Sequence, residues 1–129
     1  MERYLIDGMN VIGSRPDGWW RDLDGAVVRL ARCLAVWAAA ENVQAVVVFD
    51  GRPPPAVEEL TPRDLEMAFA GSGGAADDEI VRRTGLDPEP GSLTVVTSDR
   101  PLAERVKAAG AGAVIGAGRF RREIDRYCS

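Results

Sequence analysis

Four short runs of apolar, largely β-branched residues recur along this chain, with stretches of helical periodicity or loop between them. They are "YLI" (4–6), "AVVVF" (45–49), "LTVVT" (93–97) and "AVI" (113–115). None alternates cleanly between polar and apolar, which is the signature of strands buried on both faces of a parallel sheet. A fifth run, "LEMAFAG" (65–71), alternates weakly and is expected as an edge strand. From Leu23, apolar residues recur at Val27, Leu30, Leu34, Trp37 and Ala38, so one face of a helix is apolar. "DDEIVRRTG" opens on acids and closes on bases before Gly85, the polarity a helix prefers. "SDRPLAERVKAAG" puts Pro101 where a first turn tolerates it, and "GRFRREIDRY" aligns Phe120, Ile124 and Tyr127. Strands alternating with helices predict an α/β fold, a three-layer α/β/α sandwich around a mostly parallel sheet. "GRPPPAVEELTP" is expected as a Pro-rich surface loop and "GSGGAA" (71–76) as a flexible turn. With no internal repeat and no long linker, residues 1–129 are expected to form a single domain.

The sequence contains no histidine. Ser-His-Asp and Cys-His catalysis are therefore excluded, as are imidazole acid–base ribonucleases and most zinc sites. Any enzymatic chemistry must come from carboxylates, amides, hydroxyls, Lys or Arg, or a bound metal. Cys33 and Cys128 lie far apart and in no CxxC pair, so they are expected as buried or free thiols. No apolar run approaches the roughly 20 residues of a membrane span, and "MERYLIDG" lacks a signal-peptide pattern; a cytoplasmic protein is expected.

Ligands of open α/β sheets bind beyond the carboxyl ends of the strands. Three strand candidates are followed there by an acid: Asp7 after 4–6, Asp50 after 45–49 and Asp99 after 93–97. Asp77 and Asp78 open a helix after the Gly-rich turn, and Asn10 lies in the loop beside Asp7. Each aspartate has an ordinary reading as a helix cap or turn residue. Together they predict a shared metal site, because clustered carboxylates raise one another's pKa until a cation compensates them. An oxygen-only cluster suits Mg²⁺ or Mn²⁺. The net charge of −4 does not exclude nucleic acid, since without these five acids the rest of the chain carries +1.

"LIDGMNVI", "VVFDG", "AADDEIV" and "VVTSDR" occur in the order and spacing of the NYN domains, a branch of the PIN-like nuclease superfamily, and the chain resembles their YacP-like group. The continuation "NVIGSRPDGWWRD" is similar to actinobacterial members. The resemblance implies a PIN-like sheet of five parallel strands in the order 3-2-1-4-5. It implies a metal-dependent, endonucleolytic ribonuclease using Mg²⁺ or Mn²⁺. By matching motif, Asp7 and Asp99 would be central ligands, Asp77 the helix-borne one with Asp78 able to share its role, and Asn10 a support to the first motif. Asp50 would lie at the rim. Single-stranded RNA would be the partner, with ribosome or protein contacts where family members run longer at the C-terminus.

Around this site Thr97 and Ser98, beside Asp99, are candidates to hydrogen-bond the metal shell or the scissile phosphate, though Ser98 also reads as the cap of the helix at Pro101, and Arg100 is a candidate phosphate clamp. Trp19 and Trp20, with Arg15 and Arg21, would form a stacking, basic lip. The same tryptophans could instead pack at the start of the first long helix, one inside and one out. Arg119, Arg121, Arg122 and Arg126 offer either a basic face for an RNA backbone or a solvated helix surface. "GAGAVIGAG" (110–118) is not a dinucleotide fingerprint in place or spacing, and no P-loop is present. A receiver domain would need paired acids after its first strand and a Lys near its last. The competing reading is a non-catalytic PIN-like RNA-binding or protein-interaction module.

Overall fold

The computed structural model describes residues 1–128. Its five strands, β1 (Arg3–Asp7), β2 (Gln44–Phe49), β3 (Leu65–Phe69), β4 (Leu93–Val96) and β5 (Ala113–Ile115), form one sheet in the order β3-β2-β1-β4-β5. Every pairing is parallel, with Leu5 opposite Val46 on one side and Val95 on the other. The expected strands and their order are all present, and "LEMAFAG" supplies the edge strand.

Neighbouring strand residues serve opposite faces, as the pleat requires. Ile6, Val47 and Val96 join the core beneath α1 (Gly8–Gly13), α2 (Leu23–Glu41) and α6 (Ala117–Ile124). Leu5, Val48 and Val95 join a second core beneath α4 (Ala75–Leu86) and α5 (Arg100–Ala108). This is why the strands read as continuous apolar runs. The long helix α2 begins where the Asp22 carboxylate accepts from the Gly25 N–H at 3.0 Å, and it stops at Asn42 in the left-handed region.

Several local expectations are corrected. The residues after Asp7 are not a loop but the short helix α1, in which Gly8 serves packing. A Cβ at Gly8 would lie 2.6 Å from the Phe49 ring and 3.0 Å from Val47, so only glycine lets this helix start against the sheet. The Pro-rich segment contains one helical turn, α3 (Pro55–Glu58), which buries Val57. The glycines of "GAGAVIGAG" answer to close packing too: a Cβ at Gly112 would collide with the carbonyl of Gly91.

Cys33 and Cys128 are not free thiols. They are joined in a disulfide, with Cα atoms 4.6 Å apart and a sequence separation of 95. Tertiary packing overrides sequence distance here. Phe120 of α6 meets Trp37 of α2 edge-on at 5.1 Å, and the chain after α6 returns beside Cys33. No helix is long and apolar enough to cross a membrane among the described residues.

Candidate active site

Asp7 ends β1 and is 4% exposed, in a position where an unpartnered carboxylate would be costly. Its Oδ1 accepts from the backbone N–H of Asn10 at 3.3 Å, capping α1, and its Oδ2 accepts from the Thr97 hydroxyl at 2.9 Å. The Thr97 oxygen in turn accepts from the Asp99 N–H at 3.1 Å. One buried hydroxyl therefore ties together the ends of β1 and β4, the two central strands. Burial pushes the Asp7 carboxyl up to about 6; the Thr97 and Asn10 hydrogen bonds oppose this, and the charges of Asp77 and Asp99 add to it.

Asp99 is the N-cap of α5, accepting from the Leu102 N–H at 3.1 Å. Ser98 does not cap that helix as the sequence suggests, because Asp99 already fills the cap position. Ser98 instead bridges two other elements: its N–H donates to Asn10 Oδ1 at 2.7 Å, and its hydroxyl accepts from the Ala117 N–H at 2.8 Å. Asn10, Ser98 and the start of α6 are thus linked.

On the next strand, Asp50 accepts from the Ala76 N–H at 3.2 Å and holds the first turn of α4 beside the sheet. That turn is entered through Gly74 at φ +84°, a left-handed conformation that favours glycine. Asp77, half-buried, has its carboxyl pushed up by burial first and then by Asp99 and Asp50, with Arg105 opposing and Asp78 adding a smaller push. Asp78 is turned outward and accepts from Arg105 at 2.8 Å.

Asp7, Asp50, Asp77 and Asp99 therefore share one electrostatic neighbourhood at the carboxyl end of the sheet. The expectation of a fully converged five-carboxylate cluster needs correction. Among the described residues no three or more His, Cys, Asp or Glu side chains stand close enough to hold a metal ion. The physical reason is local: Asp7, Asp50 and Asp99 are each held by backbone N–H groups, Asp78 is held by Arg105, and like charges keep apart. In chemistry the donors do fit an oxygen-seeking divalent cation, because burial and neighbouring carboxylates push both Asp7 and Asp77 up, and Arg105 offsets this only in part at Asp77.

The tryptophan lip divides as the packing alternative has it. Trp19 is half-buried against the core, whereas Trp20 is 55% exposed, the two rings meeting edge to face at 5.7 Å. Arg15 is paired with Asp125 at 2.5 Å, and Arg21 is exposed. Arg121 donates to the carbonyls of Val11 and Ile12 and to Asp17, so it braces α1 rather than facing solvent. Arg119 and Arg126 pair with Glu123 and Glu41, while Arg122 is exposed.

Arg100, at the first position of α5, is exposed, and so is Arg52, two residues beyond Asp50. Neither joins an ion pair among the described residues. Sequence reasoning misses Arg52, although its place just past a strand-end acid is the available signal. Thr97 is expected from sequence beside the metal shell, but its bond to Asp7 shows only when both strand ends are seen together. A cavity of about 530 Å³ lies at the opposite end of the sheet, lined by strand-start residues such as Arg3, Gln44, Leu65 and Leu93, and none of the candidate site residues reaches it.

The crystal structure of Rae1 (YacP) from Bacillus subtilis is similar in fold, with a TM-score of 0.79 and 24% identity over 98% of this chain and 75% of that one. Its W164L mutant gives a TM-score of 0.77 and 24% identity over 98% and 77% of the two chains. No curated protein matches the chain. The family description "YacP-like NYN domain" matches residues 4–128, so this chain belongs to the YacP-like NYN domain family, whose fold is of nuclease type.

Proposed function

We propose that this protein is a metal-dependent endoribonuclease of the cytoplasm, with its active site in a single NYN domain over residues 1–129. The observation that carries the reading is the buried Asp7 carboxylate, tied through the Thr97 hydroxyl to the backbone of Asp99 and facing the charge of Asp77, in a chain without histidine. These three carboxylates would hold Mg²⁺ or Mn²⁺, with Asp50 at the rim; Asp78, already engaged by Arg105, is the lesser candidate. A divalent cation bound there supplies a lowered pKa for attacking water and positive charge against the phosphodiester.

The chain's own residues have separable tasks in this reading. Thr97 fixes the rotamer of Asp7 and the backbone at Asp99, so the two central carboxylates keep their relative placement. Asn10 holds the Ser98 backbone, keeping the loop after β4 against α1. Arg100 and Arg52 would contact phosphates flanking the cleaved bond. Trp20 offers an aromatic face to an unpaired base, with Arg21 beside it and Trp19 holding its base in the core. Single-stranded RNA is the substrate this arrangement suits.

The test is incubation of purified protein with labelled single-stranded RNA in Mn²⁺, Mg²⁺ or chelator, with Asp7→Asn and Asp99→Asn alongside. Cleavage should require the cation and fall to background in both variants. Cleavage that survives the chelator, or both substitutions, overturns the proposal. The non-catalytic reading has its own supporting observation, since Asp7, Asp50 and Asp99 all have a structural role as acceptors for backbone N–H groups in the first turn of a helix. It expects no heat on titration with Mn²⁺, whereas the nuclease expects saturable binding that Asp7→Asn weakens.

A further inference from the structure

We propose that the Cys33–Cys128 disulfide is a redox latch: its reduction by a dithiol frees the C-terminal end of α6 and loosens α1, the helix that begins at Asp7. The latch is built from unequal halves. Cys33 is 3% exposed in the middle of α2, whereas Cys128 is exposed, and both border a cavity of about 150 Å³ that Trp19, Arg29 and Arg121 also line. A thiolate of the reductant can therefore reach the sulfur of Cys128, expelling Cys33 as a thiolate that takes up a proton. The second thiol of the reductant then attacks the mixed disulfide and releases Cys128, which is protonated in turn. Two electrons and two protons pass to the protein, and the reductant leaves as its disulfide.

What the bond holds in place follows from α6. This helix has only eight residues, too few to persist without its packing. At its start, the Ala117 N–H is held by Ser98. At mid-helix, Arg121 donates to Val11 and Ile12 at 3.2 and 3.0 Å, the carbonyls near the end of α1. Beyond its end, the chain is fixed by the disulfide, by Tyr127 packed against the core, and by the ion pairs Arg15–Asp125 and Arg126–Glu41, both largely solvent-exposed. Exposed pairs contribute little, so reduction removes the covalent tether and leaves the partly buried Tyr127 to hold that end. Arg121 transmits the loss to α1, whose first turn carries the Asn10 N–H that donates to the capping Asp7 carboxylate. The latch would thereby tune the carboxylate site, a consequence that rests on the nuclease reading; the motion itself does not.

Hydrogen exchange followed by mass spectrometry, without RNA or metal, tests the motion directly. After treatment with oxidised glutathione the protein should lack alkylatable thiols, and dithiothreitol should add two hydrogen masses. Reduction should speed amide exchange in residues 117–127 and in 8–14, on the order of tenfold. Cys128→Ser should match the reduced protein in either buffer. Arg121→Met should keep the redox effect at 117–127 and lose it at 8–14. Thiols that stay alkylatable after oxidation, or exchange at 8–14 that ignores reduction of the unaltered protein, would overturn the latch. Both outcomes are read without any variant folding, and neither bears on whether the protein cleaves RNA.

Discussion

At Asp7, burial and two neighbouring carboxylates act in one direction, while the Thr97 hydroxyl and the Asn10 amide act in the other. Burial prevails, and the folded protein binds a proton at Asp7 more tightly than the unfolded chain does, near pH 6 rather than 3.8. A group whose folded pKa is raised contributes stability that is complete below the unfolded value and is lost as pH rises through the folded one. Without metal, the protein should therefore lose stability between about pH 4 and 6 on account of this group. A shift of about two units corresponds to on the order of 2–3 kcal/mol. Asp7→Asn removes the charge and leaves an amide that can still meet the Thr97 hydroxyl. In chelator at pH 8 the variant should be more stable to urea than the parent by up to that amount, with the gap closing at pH 4. A variant that is no more stable at pH 8 would show that the hydrogen bonds, not burial, govern this carboxylate.

Among the elements, the sequence concealed α1 and the single turn of α3, and for α1 the reason is physical. Six residues are too few for periodicity to register, and "GMNVIG" has two glycines and a β-branched pair. The long helix and the inner strands were legible because each buries a continuous face, and the edge strand because its alternation was weak but present. Asp7, Asp77 and Asp99 were legible as candidate site residues from their places after strands and at a helix start. The Thr97–Asp7 bond, the Ser98 bridge and the disulfide were not, since each joins residues about 20 to 95 positions apart. A single type of substitution separates what glycine does in two of these helices. Gly8→Ala would drive a methyl group into the Phe49 ring and should destabilise by about 1–3 kcal/mol, lifting α1 from the sheet. At Gly85, near the end of α4, a Cβ would meet nothing within 4 Å, so Gly85→Ala should stabilise by about 0.5–1 kcal/mol. Thermal denaturation of the pair checks both, and equal signs would refute the packing role assigned to Gly8.

Over the whole molecule, charge is distributed in a way that bears on how the proposed RNA substrate would be held. The chain carries −4, and many of its arginines are spent on internal ion pairs: Arg3 with Asp87, Arg15 with Asp125, Arg83 with Glu66 and Glu79, Arg105 with Asp78, Arg121 with Asp17. What remains around the candidate site is a small set of exposed cations, Arg21, Arg52 and Arg100. A protein that binds RNA chiefly through a basic groove shows a steep loss of affinity with salt, whereas three phosphate contacts on a single strand release few counterions. The slope of log K against log salt should be only about −2, at roughly −0.7 per contact. Arg100→Ala should make it shallower by about 0.7, and Trp20→Ala should weaken binding by about 1–3 kcal/mol while leaving the slope unchanged. Binding measured with the Asp7→Asn protein at fixed Mg²⁺ across a potassium chloride series separates these terms without cleavage intervening. A slope well beyond −2 would mean that other arginines, Arg122 among them, leave their present surroundings to meet the RNA, and would move the binding surface onto α6.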